Sequence, residues 1–204
     1  VPEALNVEGP WTVRFLSGWG APERTTFHEL ISWTDHSHTD IQHFSGTATY
    51  EKAIQIPSQL MADERLFWLD LGRVCNIAEV LLNGQNLGIF WKPPFRIDVS
   101  DRIRSGENRL EVRITNLWPN RLIGDEVKPD FLPFQEAGRR GAAPTEWDAW
   151  MRLAEEEQES GRYSKRTGRY TWTTWRHYDA DDPLLESGLI GPVRLYTQVI
   201  REIT

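Results

Sequence analysis

A chain of 204 residues fits one domain, and a single sandwich of that size buries roughly 70% of its unfolded surface without metals or disulfides. Hydrophobic residues make up 39% and charged residues 26%, and no apolar run approaches the roughly 20 residues of a membrane helix, which excludes a disordered chain and a helical membrane protein. The net charge of −7 argues against a nucleic-acid partner, whose recognition rests on basic surface. The opening Val1-Pro2-Glu3 carries neither an initiator Met nor a signal-peptide pattern and points to a mature or excised fragment. The composition stands out for its 10 tryptophans, side chains that serve equally as core and as stacking surface for a sugar ring.

Strand signals run through most of the chain. Trp11 to Phe15 opens the series; from Gly46 to Ile56, Ala48, Tyr50, Ile54 and Ile56 alternate with Thr47, Thr49, Glu51 and Gln55, and Pro57 ends the run. Phe67, Leu69 and Leu71 then alternate with Trp68 and Asp70, and Ala78, Val80 and Leu82 lead into Asn83-Gly84, a dipeptide suited to a tight hairpin turn. Phe95 to Val99, Leu110 to Ile114 and Val193 to Val199 complete seven or eight short strands, the number expected of a jelly-roll-like antiparallel sandwich. Among the tryptophans, Trp11 and Trp68 are assigned to strands and to the core. The lone Cys75, in a strand-like context, reads as a buried apolar thiol and not as a nucleophile.

From about 117 to 190 no clean alternation survives, and an excursion that long inside a compact domain points to function. Thr145 and Asp148 resemble a capping box, Trp147, Trp150, Met151 and Ala154 recur at helical spacing, and Gly161 follows the acidic stretch Glu155 to Glu159, so the spacing predicts a short helix near 146–159.

Four stretches carry a resemblance to a known family. The block from Leu69-Asp70-Leu71-Gly72 through Asn83-Gly84 to Trp91-Lys92-Pro93-Pro94-Phe95 resembles the galactose-binding-like jelly roll that serves as the sugar-binding domain of family 2 glycoside hydrolases. Phe44 to Tyr50, Asn116 to Asp125 and Ser187 to Val193 make it similar to the C-terminal domain of family 106-type α-L-rhamnosidases and their relatives. The resemblance implies one all-β domain over 1–204, a galactose-binding-like sandwich with one long loop and helix insertion, that accompanies a catalytic barrel absent from this chain. It further implies a periplasmic or extracellular setting and a structural calcium as an option, for which no Asp-rich ligand loop is visible.

The candidate binding residues lie where the insertion leaves and rejoins the sandwich. Trp91 and Lys92, ahead of Pro93-Pro94, form either a stacking platform with an adjacent donor or a plug for the end of the core. Trp118, Asn120 and Arg121 supply a ring and planar donors suited to vicinal hydroxyls, with a buried Arg121–Asp125 pair as the structural alternative. Trp172, Trp175, His177 and Tyr178 close the insertion as a sugar-contacting cluster or as a lid on its own helix. The basic run Arg162, Lys165, Arg166, Arg169 and Arg176 is read as pairing locally with the acidic stretch before it, with a uronate-binding patch as the sharper alternative.

His36, His38, Asp40 and His43 match no zinc spacing, so no metal site and no cofactor is assigned. Catalytic residues are likewise assigned to none, although Asp125, Glu126, Asp130, Asp148, Asp179, Asp181 and Asp182 leave a carboxylate pair open by composition. The sequence thus predicts a non-catalytic carbohydrate-binding module of a polysaccharide-degrading glycoside hydrolase acting on plant or algal cell-wall glycan. The alternative is a structural accessory domain packed on the catalytic domain of a rhamnosidase-like parent. Its expected partners are a poly- or oligosaccharide and that catalytic domain, with neither nucleic acid nor membrane.

Overall fold

Alternation of apolar and polar residues builds two antiparallel sheets whose apolar faces meet. The structure, a computed structural model, describes residues 3–61, 65–128, 148, 151–152, 155–156, 169–171, 173 and 177–199. Among these, the strands in chain order are β1 (Glu3–Asn6), β2 (Trp11–Arg14), β3 (Arg24–Phe27), β4 (Thr47–Ile56), β5 (Arg65–Asp70) and β6 (Arg73–Cys75). They continue as β7 (Ile77–Leu82), β8 (Gln85–Phe90), β9 (Arg96–Asp98), β10 (Gly106–Thr115), β11 (Gly188–Gly191) and β12 (Arg194–Val199). Two short helices, α1 (Thr39–Gln42) and α2 (Pro119–Asp125), interrupt them. Asp148, Met151, Arg152, Glu155 and Glu156 are also helical, and the other residues of the helix predicted near 146–159, Trp147 and Trp150 among them, lie outside the described residues.

One sheet has the order β3-β2-β4-β10-β7-β8, the other β1-β12-β5-β9, and β11 pairs separately with β6. All pairings are antiparallel, so the expected all-β sandwich is the observed one. The expectation of seven or eight strands is too low. The missed strands β1, β3, β6 and β11 are only three or four residues long, too short for alternation to register. The edge strand β8 has neither face consistently buried, so it has no apolar period to show.

The long central strands hold the fold. Ala48, Tyr50, Ile54 and Ile56 of β4 and Leu110, Val112 and Ile114 of β10 are buried, facing Phe67, Leu69, Ile97 and Leu195 of the second sheet. Where Ile54 and Leu82 meet Leu69 and Leu195 the two layers leave a void of about 10 Å³, too small for more than a single water. At the hairpin between β7 and β8, Asn83 and Gly84 adopt φ of 53° and 79°, the left-handed pair that a two-residue turn of this twist requires. The Asn83 side chain adds a tie: its Oδ1 accepts from the Arg109 amide at 3.0 Å, and its Nδ2 donates to Asn108 Oδ1 at 2.9 Å.

One tryptophan not singled out in the sequence joins the core, and one assignment changes. Trp33, in the 3-10 turn Trp33–Asp35, is fully buried and donates from Nε1 to the Tyr50 hydroxyl at 2.6 Å, with Phe15 and Phe44 packed edge-on against its ring. Trp11 is fully buried, but Trp68 stands between inward-facing Phe67 and Leu69 and therefore points away from the core. The period of the strand, not the residue type, decided its face. Cys75 is half-buried rather than buried; desolvation and the neighbouring Glu186 carboxylate push its thiol up in pKa, which disfavours the thiolate.

Candidate functional site

The end of the sandwich where the insertion leaves is built around α2. Pro119 starts it at the first helical position, where a missing N–H costs nothing, and Gly124 lets it lie against α1: a Cβ there would meet His43 Cβ and Cγ at 2.6 and 2.5 Å. The cross-sheet ladder Phe90, Ala78, Ile114, Ala48 brings the ends of β8 and β10 to one end of the larger sheet. Trp91 and Trp118 therefore leave the same end, two strand spacings or about 10 Å apart across the sheet.

Asn120 and Arg121 do not face solvent. Asn120 is 1% exposed; its Nδ2 donates to Leu185 O at 2.7 Å and to Ser187 Oγ at 3.0 Å, and its Oδ1 accepts from the Leu185 amide at 2.7 Å. Arg121 is fully buried, donates from Nε to His43 O at 2.8 Å, and lays its guanidinium 5.0 Å from the Tyr170 ring centroid. Its Nη1 lies 3.8 Å from Asp125 Oδ1, a contact of opposite charges without a hydrogen bond, and burial lowers the pKa of the guanidinium against the opposing pull of Asp125. The expectation that these two side chains reach sugar hydroxyls is corrected: both are turned inward, Asn120 and the Arg121 Nε bond the protein's own backbone and side chains, and the Arg121 Nη1 and Nη2 are buried without a hydrogen-bond partner among the described residues.

The Asp125 carboxylate is also fully buried, and its Oδ2 accepts from Tyr170 N at 2.8 Å, Thr171 N at 2.7 Å and Thr171 Oγ1 at 2.7 Å. It is thus a fastener for the returning insertion and offers no group to a catalytic pair. Asn116 completes the knot, donating to Phe44 O at 2.8 Å and Ser187 Oγ at 3.2 Å and accepting from the Gly46 amide at 2.9 Å, while Ser45 Oγ donates to Leu117 O at 2.8 Å. Ser45, Asn116 and Ser187 were not singled out in the sequence. Their signal was present, because they belong to the three separate stretches of the resemblance, which meet here.

What remains at the surface is aromatic and apolar. Trp118 is 53% exposed and set edge-on at 6.1 Å against Trp19, whose Nε1 donates to Ser45 O at 2.7 Å. Leu117 just before α2, Val127 just after it and Leu185, whose backbone bonds Asn120, are exposed around the same helix. Trp91 is 68% exposed, with Lys92 Nζ 5.3 Å from its ring centroid. His177 is exposed and Tyr178 half-buried, whereas Trp172 and Trp175 lie outside the described residues. Of the basic run, Arg169 donates to Glu126 Oε1 at 2.9 Å, a partner outside the acidic stretch proposed for it; Arg162, Lys165, Arg166 and Arg176 lie outside the described residues.

The histidine cluster serves the backbone. His36 Nδ1 accepts from the His38 amide at 3.0 Å, His38 Nδ1 caps α1 from the Asp40 amide at 3.3 Å, and the His36 ring stacks on Phe27 at 5.0 Å. Among the described residues, no group of three or more His, Cys, Asp or Glu is arranged to hold a metal.

Residues 32–173 match the model of the "Glycosyl hydrolase 2 galactose-binding domain-like" family. The chain belongs to that family. A "Putative beta-glucuronidase" of Formosa agariphila is 41% identical over 203 residues, all of this chain but only 16% of that protein. The structure of a rhamnosidase from Novosphingobium sp. PP1Y aligns over 97% of the chain and 15% of its own length, with 33% identity and a TM-score of 0.71. A Bifidobacterium dentium β-glucuronidase, at 23% identity and a TM-score of 0.58 over 97% of the chain, shares the fold. The chain therefore spans 16% and 15% of the first two proteins and 30% of the third, and it is a galactose-binding-like domain of the glycoside-hydrolase kind. In this galactose-binding-like domain, the three stretches that meet at α2 form the part of the fold that fastens the insertion to the sandwich.

Proposed function

We propose that this domain is a non-catalytic accessory domain of a polysaccharide-degrading glycoside hydrolase, and that its α2 end docks against the catalytic domain of that enzyme. The observation that carries the reading is the inversion of polarity at α2. Asn120, Arg121 and Asp125 are buried, while Leu117 (52%), Trp118 (53%), Val127 (71%) and Leu185 (47%) face outward. Exposed apolar side chains grouped this way mark an interaction surface, and an aromatic anchor with an apolar surround has the composition of an interface core. The two relatives named above, a rhamnosidase and a putative β-glucuronidase, are both much longer than this chain and support a parent of that kind. Mixed with the separately produced catalytic domain of the enzyme that carries it, the chain should form a 1:1 complex in calorimetry. Trp118→Ser with Leu185→Ser should weaken the complex at least about tenfold, as loss of a central aromatic anchor does. Equal affinity of the double variant and wild type would sink the proposal.

A second reading, carbohydrate binding, is favoured by Trp91, whose ring is more than two-thirds exposed beside the Lys92 ammonium on a loop stiffened by Pro93-Pro94. Trp118, His177 and Tyr178 are its further candidates. Affinity electrophoresis against rhamnose-containing, arabinan, galactan and pectic glycans tests it; retardation by none of them rejects it.

A further inference from the structure

The outer face of the smaller sheet carries a second aromatic surface, on the opposite side of the strands from the core. Trp68 of β5 and Tyr196 of β12 are directly opposite one another in the ladder, and Arg96 of the neighbouring β9 pairs in register with Asp70. The Arg96 guanidinium lies 5.2 Å from the Tyr196 ring centroid and is fixed by Asp70 Oδ2 at 2.8 Å from Nη2 and 3.2 Å from Nε. Trp68, Arg96, Tyr196, Thr197 and Gln198 together line a recess of about 350 Å³.

We propose that this recess is a glycan-binding site, distinct from the α2 end, that receives a pyranose ring of an oligosaccharide with its C–H face against Trp68 and Tyr196. The chemistry follows from the pairing of apolar ring faces with planar donors at their edge. The rings supply large rigid surface with few rotors to freeze, and Arg96, held by Asp70, keeps its Nη1 donors for hydroxyl oxygens. Gln198, exposed two residues along from Tyr196, adds a donor and an acceptor on the same face. A volume of about 350 Å³ lies at the lower end of the roughly 300–1,000 Å³ typical of small-ligand sites, room for one or two sugar rings.

A protein partner suits this face less well. Docking a flat protein surface would strip water from Asp70, Arg96, Asp98 and Arg194 together, whereas a sugar covers the rings and leaves those charges hydrated at its rim. Arg194, whose Nη1 approaches the Tyr196 hydroxyl at 3.5 Å, gives the rim a cation that a uronate carboxylate would also meet. The shared requirement is a pyranose C–H face, and neutral and uronate oligosaccharides are the two sources to separate.

The inference rests on the carbohydrate-binding reading and gives it a place. In ¹⁵N-labelled full chain titrated with a neutral arabinogalactan-type oligosaccharide and, separately, with an oligogalacturonide, the Trp68 indole N–H signal should shift saturably with at least one of them. Trp68→Ala and Tyr196→Ala should each lower the association constant about tenfold. Arg96→Gln, which keeps the sheet's core face untouched, provides the same test at about threefold if either aromatic variant fails to fold. Uronate-selective binding lost on Arg194→Gln would extend the site to a carboxylate; equal binding of both sugars would confine it to the rings. Binding that leaves the Trp68 signal unmoved overturns the inference while the carbohydrate-binding reading stands. No shift with either sugar overturns the site for both.

Discussion

Asp125 offers the sharpest test of the knot at α2. Replacement by Ala removes the acceptor of three hydrogen bonds, two from the backbone amides of Tyr170 and Thr171, and withdraws the carboxylate that acts most strongly on the buried Arg121 guanidinium. Each buried donor left without a partner costs about 1–3 kcal/mol, but the three share one oxygen and relax together. The expected loss for Asp125→Ala is therefore about 3–5 kcal/mol, the range for breaking a buried charged group away from its partners. That is a large part of the roughly 5–15 kcal/mol that holds a domain folded. Asp125→Asn keeps a carbonyl oxygen that can accept the same bonds and gives up only the charge 3.8 Å from Arg121, so it should cost only about 1–2 kcal/mol. Urea unfolding followed by far-UV circular dichroism measures both. If the Ala variant lies within about 1 kcal/mol of wild type, or Asn is as damaging as Ala, the carboxylate does not act through these hydrogen bonds.

Three further outcomes follow from the same geometry. Gly124→Ala would drive a Cβ to 2.5 Å from His43 Cγ, so α2 must shift, at a cost of about 1–3 kcal/mol; an unchanged urea midpoint would refute the close approach. Trp33→Phe deletes the 2.6 Å donor to the Tyr50 hydroxyl together with indole volume, worth about 2–4 kcal/mol, and should lower Tm by about 5–12 °C, whereas a drop below about 2 °C would count against this pairing. His36 and His43 both have pKa values lowered from the ordinary 6.5, chiefly by desolvation, with His38 adding at His36 and Arg121 and Lys128 adding at His43 against Asp40. The unfolded chain therefore binds protons first as pH falls below 6.5, so their contribution is fully present above that pH and is lost on acidification. The urea midpoint should fall between pH 7 and pH 5.5, and a His36→Gln, His43→Gln chain should show a visibly flatter profile over that window; identical slopes would exclude both imidazoles.

Much of the fold was legible because strands with one buried face record that burial as a period of two. Ala48, Tyr50, Ile54 and Ile56, and Leu110, Val112 and Ile114, are read straight from alternation, and Asn83-Gly84 announces its turn through the φ values it tolerates. The same rule placed Trp68 opposite Phe67 and Leu69, so its outward face was already written in the pattern that its assignment to the core overrode. Sequence also placed the start of the insertion at about 117 and showed that three distant stretches share a family likeness, but it did not show the helix α2 within one of them.

Only the tertiary structure decided which way the polar residues of α2 face. Asn120 bonds Leu185, 65 residues away, the Arg121 amide bonds Ser45, 76 residues away, and Asp125 bonds Thr171, 46 residues away. In this stretch Asn120 and Arg121 read as ligand groups, with a buried Arg121–Asp125 pair left open as the alternative, because a local pattern reports which side of an element is apolar but carries no information about a partner elsewhere in the chain. The desolvation of those groups is offset by bonds that exist only once both ends of the insertion have closed on the sandwich. That closure is what turned Asn120 and Arg121 inward and left Trp118 to meet the outside.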